Sequence, residues 1–318
     1  MAVIEMRGLR KDFVVRVKAG RVRREKREVA AVDGIDLRIE RGEMVGYIGP
    51  NGAGKSTTLK MLTGVLTPSS GEVAVCGLRP VPQRTRLALR IGVVFGQRSQ
   101  LWWDLPLRES FRLLRHIYRV PAAEHEARLR RCRSLLDLDE FLDTPVRQLS
   151  LGQRMRGELT AALLHGPRVL FLDEPTIGLD VVSKQAVRSF LAELGASGDV
   201  TLVLTTHDLA DIERLCHRLV VIDHGRVVHD GTIEALHARY GSRRSLVVDL
   251  DRPLAPGFTL PGATLIGAEA DGHRVTFALD SASAGEAVAG LVAAASVRDL
   301  SVVEPDIEDV VARLYASA

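Results

Sequence analysis

The 318-residue chain is 46% hydrophobic and 26% charged, enough for one large folded domain or two modest ones. Its net charge of +3, from 43 Lys and Arg against 40 Asp and Glu, is too small to imply nucleic-acid binding by the whole chain. The apolar runs are short, such as VLFL before Asp173 and VTLVL before Thr205, and fall short of the roughly 20 residues of a membrane-spanning helix.

Strands are expected in VIEMRGL and VAAVDGIDLRI. The basic stretch between them carries Arg16, Lys18, Arg21, Arg23, Arg24, Lys26 and Arg27, offset by Glu25 and Glu28. It reads as a solvated loop, with an electrostatic contact to anionic lipid or a partner as the functional alternative. MVGYIGPNGAGKSTTLKMLTGVL reads as a buried strand, a Gly-rich turn and a helix. TPSSGEV reads as a turn and IGVVFGQ as another buried strand. From Leu105 to about Leu142, apolar residues at helical spacing indicate a helical subdomain, placed at about 98–150. RVLFLDEP and TLVLTTHD are apolar strands ending in polar residues, with a helix between them. LVVIDHGRVVHDG reads as two strands and a tight turn. A boundary is expected at Tyr240-Gly241-Ser242, giving a domain over 1–240 and a small α/β appendage over 241–318. Strands alternating with helices imply a mostly parallel sheet, with ligands outside the carboxyl ends of its strands. Cys76, Cys132 and Cys216 are far apart and read as reduced cytosolic thiols. The N-terminus lacks the apolar core of a signal peptide.

Gly49, Pro50, Asn51, Gly52, Ala53, Gly54, Lys55, Ser56 and Thr57 match the phosphate-loop pattern G-x-x-x-x-G-K-[ST] between a strand and a helix. Glycines let the backbone wrap phosphates, and successive N–H groups with the helix N-terminus stabilise negative charge. Lys55 is expected to neutralise the β- and γ-phosphates, and Ser56 to ligate Mg²⁺. Asp173 ends an apolar strand and suits a metal partner. Glu174 beside it suits the base that orients and deprotonates water. His207 ends the next apolar strand and is placed to bridge the γ-phosphate and Glu174.

Leu149 opens LSLGQRMRGEL, which resembles the signature of ABC ATPases, usually LSGGQ, and lies between the phosphate loop and LFLDEP as it does in that family. Gln97 matches the family's Q-loop glutamine, Ile177-Gly178-Leu179-Asp180 its D-loop, and His207 its switch histidine. Phe13 stands where the family stacks an aromatic on adenine, and plain core packing is the alternative reading of that ring. The resemblance runs from about Val3 to Leu236. It implies a P-loop NTPase of ABC type, with a mostly parallel sheet, an antiparallel β subdomain and a helical subdomain. It also implies ATP and Mg²⁺ as cofactors, with Ser56, Gln97 and Asp173 at the metal. A head-to-tail homodimer follows, sandwiching two ATP molecules between the phosphate loop of one chain and Ser150, Gly152, Gln153 and Asp180 of the other. Leu151 replaces the first glycine of the usual pair, a strained choice only if that position needs positive φ.

With no span of its own, a transport motor of this type needs a separate integral membrane permease, on whose cytoplasmic face it would sit. The transported substrate would contact the permease, and no nucleic acid is expected. Trp102 and Trp103 read either as a docking surface or as core. The phosphate-loop wording, the SLGQ signature, the GQRSQLWWDLP segment and the short C-terminal appendage resemble the branch that exports drugs, polysaccharides or lipids through simple permeases. An importer motor, or a soluble ABC ATPase acting on the ribosome or DNA, is the alternative. The soluble types usually carry tandem ATPase domains or a long coiled coil, and this chain has one phosphate loop and no sustained heptad run.

Overall fold

The computed structural model describes residues 2–19, 23–96, 99–240, 244–255, 257–279, 284–303 and 307–317, with side chains described outside 16–25 and 316–317. The described chain divides into two compact units, Met1–Ile233 and Glu234–Ala318.

In the first unit, β1 (Ala2–Ala19) and β2 (Arg23–Glu40) pair antiparallel along their length. The basic stretch read as a loop is therefore largely strand. Val14, Val15 and Val17 favour extended backbone, and the register continues unbroken from Asp12↔Ala30 to Ala19↔Arg23. β3 (Met44–Ile48), buried throughout, leads through the Gly-rich turn into α1 (Lys55–Leu62). β4 (Ser70–Val75) occupies the segment read as a turn and pairs with β1, closing a sheet of order β2-β1-β4. Gly71, at φ 82, lies so close to Gly8 that an added Cβ would sit 2.2 Å from the Gly8 carbonyl oxygen. Glycine there permits the strand pairing.

α2 (Arg84–Ala88) and β5 (Ile91–Phe95) lead to α3 (Leu107–Ile117) and α4 (Ala122–Leu136). α3 buries Leu107, Ser110, Phe111 and Leu114, one stripe at helical spacing. α5 (Leu151–Leu163) begins on Ser150 in a capping box: Gln153 N–H donates to Ser150 Oγ at 3.2 Å, and Ser150 N–H donates to Gln153 Oε1 at 2.9 Å. β6 (Val169–Asp173), α6 (Val181–Ala196), β7 (Thr201–Thr205), α7 (Leu209–Leu215), β8 (Arg218–Asp223) and β9 (Arg226–Thr232) follow. The turn between β8 and β9 places both His224 and Gly225 at positive φ, as a two-residue hairpin turn requires.

The central sheet has the order β5-β6-β7-β3-β8-β9, parallel except for β9. Its inner strands are buried on both faces, which is why they read as continuous apolar runs. Fold class is thus as the sequence implied: a mostly parallel sheet with helices, beside an antiparallel β sheet. The three cysteines are buried and free. Among the described residues no helix is long and apolar enough to cross a membrane.

The second unit contains α8 (Ile233–Tyr240) from its second residue, then β10 (Ser245–Leu250), β11 (Ala263–Glu269), β12 (Arg274–Leu279), α9 (Ala284–Ala294), β13 (Val297–Val303) and α10 (Ile307–Ser317). Its antiparallel sheet runs β11-β12-β10-β13. Leu246, Val248 and Leu250 alternate into a core shared with Val275, Phe277, Leu279, Ala287 and Leu291. α10 was not foreseen in the sequence.

Because this core is its own cluster, Phe277→Ala is expected to remove about 3–5 kcal/mol from the second unit and leave nucleotide binding intact. Thermal unfolding with and without ATP checks this. Loss of ATP binding in a variant whose first unit still unfolds cooperatively would contradict it.

Candidate active site

β7 lies between β6 and β3, so the loops leaving the carboxyl ends of three adjacent strands meet. From β3 comes the Gly-rich turn. Gly52 and Gly54 take φ of 86 and 107, backbone that side chains rarely adopt. A Cβ at Gly49 would lie 2.4 Å from the Ile222 carbonyl oxygen, and one at Gly54 2.3 Å from that of Ala31. The loop is thus pinned against β8 and β2. Lys55, the first residue of α1, is 8% exposed and donates from Nζ to the carbonyl oxygens of Gly49 and, at 3.1 Å, Pro50. Burial lowers its pKa from the ordinary lysine value, opposed by the charges of Glu174 and Asp173.

From β6 come Asp173 and Glu174. Thr205, on the neighbouring strand, donates its hydroxyl to Asp173 Oδ1 at 2.7 Å. Glu174 sits at φ 57, and its N–H donates to the Thr205 carbonyl at 2.9 Å. From β7 comes His207, whose N–H donates to Glu174 Oε2 at 3.1 Å while its Nε2 lies 3.1 Å from Glu174 Oε1. Desolvation raises the Glu174 pKa above the ordinary carboxylate value. His207 and Lys55 oppose this, and Asp173 adds to it. Asn51, Gly52, Gly54, Lys55, Ser56, Thr57, Asp173, Glu174 and His207 line one cavity of about 560 Å³, together with Lys60, Val65, Phe95, Gly96 and Ile177.

Gln97 falls outside the described residues. Ser150, Gly152, Gln153 and Asp180 are not among the described residues lining the cavity. Asp180 caps α6, accepting from Ser183 N–H at 2.9 Å and from its hydroxyl at 2.7 Å. A Cβ at Gly152 would sit 2.1 Å from Ser183 Oγ, so this glycine lets the N-termini of α5 and α6 approach. Leu151 is the first residue of α5 and is not among the residues of positive φ. Its backbone is thus free of positive-φ strain, and its side chain is exposed beside Gly178. Phe13 is 38% exposed, which removes the core reading of its ring, and Lys11 Nζ lies 5.3 Å from the ring centroid. Trp102 and Trp103 are likewise not core, at 37% and 51% exposed.

Two supports went unseen in the sequence. Asp211 on α7 is fully buried; Thr176 donates its hydroxyl to it at 2.6 Å, and Arg188 of α6 pairs with it. Arg188 also reaches Asp208 at 3.2 Å. This network clamps the segments after Glu174 and around His207 onto one helix. Glu158, 5% exposed on α5, accepts from the Ser99 hydroxyl and, at 3.2 Å, from Gln100 N–H, tying the segment after Gln97 to α5. Burial raises its carboxyl pKa. A charged residue at an apolar helix position was the available signal for both.

A Gly-rich phosphate loop opening a helix, with two carboxylates and an imidazole at adjacent strand ends, defines a P-loop nucleotide-hydrolysing chain. Comparison with known proteins sharpens that class. Residues 32–177 match the ABC transporter family. The chain is 39% identical over 223 residues to the Nod factor export ATP-binding protein I of Paraburkholderia xenovorans, spanning 70% of this chain and 72% of that protein. It is 34% identical over 285 residues to the daunorubicin resistance ATP-binding protein DrrA3 of Streptomyces coeruleorubidus, spanning 88% and 89%. A solved dimeric ATP-binding cassette, in a post-hydrolysis state bound to ADP and Pi, matches with a TM-score of 0.63 at 26% identity, over 72% of this chain and 98% of that one. The chain belongs to the ABC transporter family and is one of its ATP-binding, ATP-hydrolysing subunits.

Asp211→Ala would leave the half-buried Arg188 with Asp208 as its remaining described partner and would remove the buried acceptor of the Thr176 hydroxyl. It is expected to cost about 3–5 kcal/mol and to lower ATP turnover more than ATP affinity, because the segments it holds carry Glu174 and His207. Denaturant unfolding and steady-state kinetics check both; a variant of unchanged stability would refute the clamp.

Proposed function

We propose that the chain is the ATP-driven motor of an exporter and works as a homodimer on a separate integral membrane permease. The observation that carries the hydrolytic reading is the Glu174–His207 pair, held at 3.1 Å over the phosphate loop. Lys55 and the N–H groups at the start of α1 would bind the β- and γ-phosphates. Glu174 would accept the proton of the attacking water, and His207 would hold the Glu174 carboxylate while reaching the γ-phosphate. Phe13 would stack on adenine.

Mg²⁺ fits the donors present. Ser56 offers an exposed hydroxyl at the head of α1, and Asp173 a carboxylate oriented by Thr205. Among the described residues no cluster of three or more His, Cys, Asp or Glu could hold a metal alone, which suits an ion whose other ligands are phosphate oxygens and water. Ser56 and Asp173, with Gln97, would hold it, and it would neutralise charge on the phosphates.

The dimer accounts for the signature residues lying apart from the cavity. Ser150, Gly152, Gln153 and Asp180 of a second copy would close the cleft. Exposed Leu151, Ile177, Val181 and Val182 near them are the apolar area such a closure would cover. Export is supported by the Nod factor export and daunorubicin resistance relatives. The permease would carry substrate specificity and hold this chain at the cytoplasmic face of the membrane, docked near Trp102 and Trp103.

Glu174→Gln is expected to retain ATP binding and to lower turnover at least about 100-fold, since the water loses its base. Turnover near wild type would remove that role. In the wild-type enzyme the acid limb of the turnover profile should lie above the ordinary carboxylate pKa. The raised pKa of Glu174 means that the base becomes protonated, and activity is lost, at a higher pH than for a free carboxylate. Lys55→Ala should raise the ATP dissociation constant at least about tenfold, measured by fluorescent nucleotide titration; an unchanged constant would place the phosphates elsewhere. Affinity capture from detergent-solubilised native membranes tests the transport reading. A stoichiometric multi-span membrane protein is expected, whereas ribosomes, DNA or soluble chains alone would replace the reading with a soluble one.

A further inference from the structure

The β1–β2 ribbon extends well past the part of it that the ATP site uses. β1 is last paired with β4 at Arg10↔Ser70, and the Asp12 N–H still donates to Ser69 at 3.0 Å. From Phe13↔Val29 to Ala19↔Arg23, β1 and β2 pair with each other, a run of roughly 20 Å at strand spacing. A two-stranded ribbon is marginal in water, and this one carries a charge pattern that weakens it further. Directly opposite positions share a face of an antiparallel pair. The register sets Arg16 opposite Lys26 and Lys18 opposite Arg24. Four cationic positions therefore follow one another on one face, with Val14↔Glu28 at its foot. Like charges placed opposite each other destabilise a strand pair.

The other face alternates differently, with Phe13, Val15, Val17 and Ala19 along β1 opposite Val29, Arg27, Glu25 and Arg23. Phe13, Val15 and Val29, at the foot of that face, are 38%, 39% and 42% exposed, and Val14 on the cationic face is 59% exposed. Residues 16–28 hold seven Lys or Arg and two Glu, a net of +5 in a chain whose total is +3, so the rest of the protein is net negative. The positive excess of the sequence is thus concentrated in this segment.

We propose that the ribbon is a docking surface for the anionic headgroups of a phospholipid bilayer. The proposal rests on the reading of the chain as a motor working at a membrane. Cationic positions along a ribbon whose foot exposes Val14, Val15 and Val29 match the pattern of segments that lie in a membrane interface, where basic groups meet phosphates and apolar ones reach the acyl boundary. A nucleic acid would use the cations and give the apolar positions nothing to cover. The net-negative remainder of the chain is repelled by an anionic surface, so attraction through the ribbon alone would orient the protein on it.

The test uses the full-length chain and vesicles of phosphatidylcholine with or without phosphatidylglycerol, read by co-sedimentation. Binding should require phosphatidylglycerol and weaken with added salt. The combined substitution Arg16→Gln, Lys18→Gln, Arg24→Gln and Lys26→Gln should reduce the partition coefficient at least about tenfold and leave solution ATP turnover at the wild-type level. That turnover also shows that the variant is folded. Wild-type binding that ignores phosphatidylglycerol, absence of binding, or equal binding by the variant would overturn the proposal. So would failure to bind vesicles accompanied by ribbon-dependent binding of a duplex oligonucleotide, which would assign the surface to nucleic acid. The two readings fail separately. A chain that binds anionic vesicles through the ribbon but captures no permease loses the transport reading and keeps this one.

Discussion

Parallel pairing of β7 between β6 and β3 is the constraint on which the site depends. Each strand is short, apolar and buried, and each ends in the residue or loop that carries chemistry. The pairing Asp173↔Thr205 fixes the acidic end of β6 against the polar end of β7. The same two strands bring Glu174 to His207. A parallel sheet needs crossover connections, and here α6 and α7 supply the pair of half-buried Arg188 with buried Asp211 that clamps the loops from behind. The geometry of the Glu174–His207 pair is therefore set by the sheet in front and by an ion pair beneath.

The electrostatics follow from that geometry. Burial pushes Glu174 toward the neutral form, and Lys55 and His207 pull it back toward the charged one. The same burial lowers the Lys55 pKa, and the carboxylates of Glu174 and Asp173 hold it up. Lys55 and Glu174 thus favour each other's charged forms at the point where polyanionic phosphate and a water nucleophile would meet. ATP would supply a γ-phosphate for both the cleft of one chain and the signature of the other, and hydrolysis would remove that shared ligand. Such a cycle would couple bond cleavage to separation of the two chains.

Sequence reading reached furthest where chemistry demands a residue at a fixed spacing. The phosphate loop, the Asp173–Glu174 pair and His207 were legible because each follows an apolar strand, and all three strand ends meet in one cavity. It fell short where tertiary packing decides. The basic segment 16–27 looked like a loop because its charge masks a β-branched alternation that only a partner strand makes visible. The TPSSGEV segment looked like a turn, although Gly71 serves close strand approach there. Gly152 read only as allowing close backbone approach, and the packing of Ser183 against it between two helix N-termini was not visible. Asp211 and Glu158 were missed because a single acidic residue, even at an apolar position of a helix, reads as surface until its burial is known.

The central claim is that one chain's phosphate cleft is completed by the signature of a second copy. Light scattering of Glu174→Gln with saturating ATP tests it most directly, compared with the same variant also carrying Ser150→Arg. Twice the mass of one chain with ATP, and a single-chain mass when Ser150→Arg is added, is the predicted result. A single-chain mass for Glu174→Gln at saturating ATP, or a dimer indifferent to Ser150→Arg, would contradict the account.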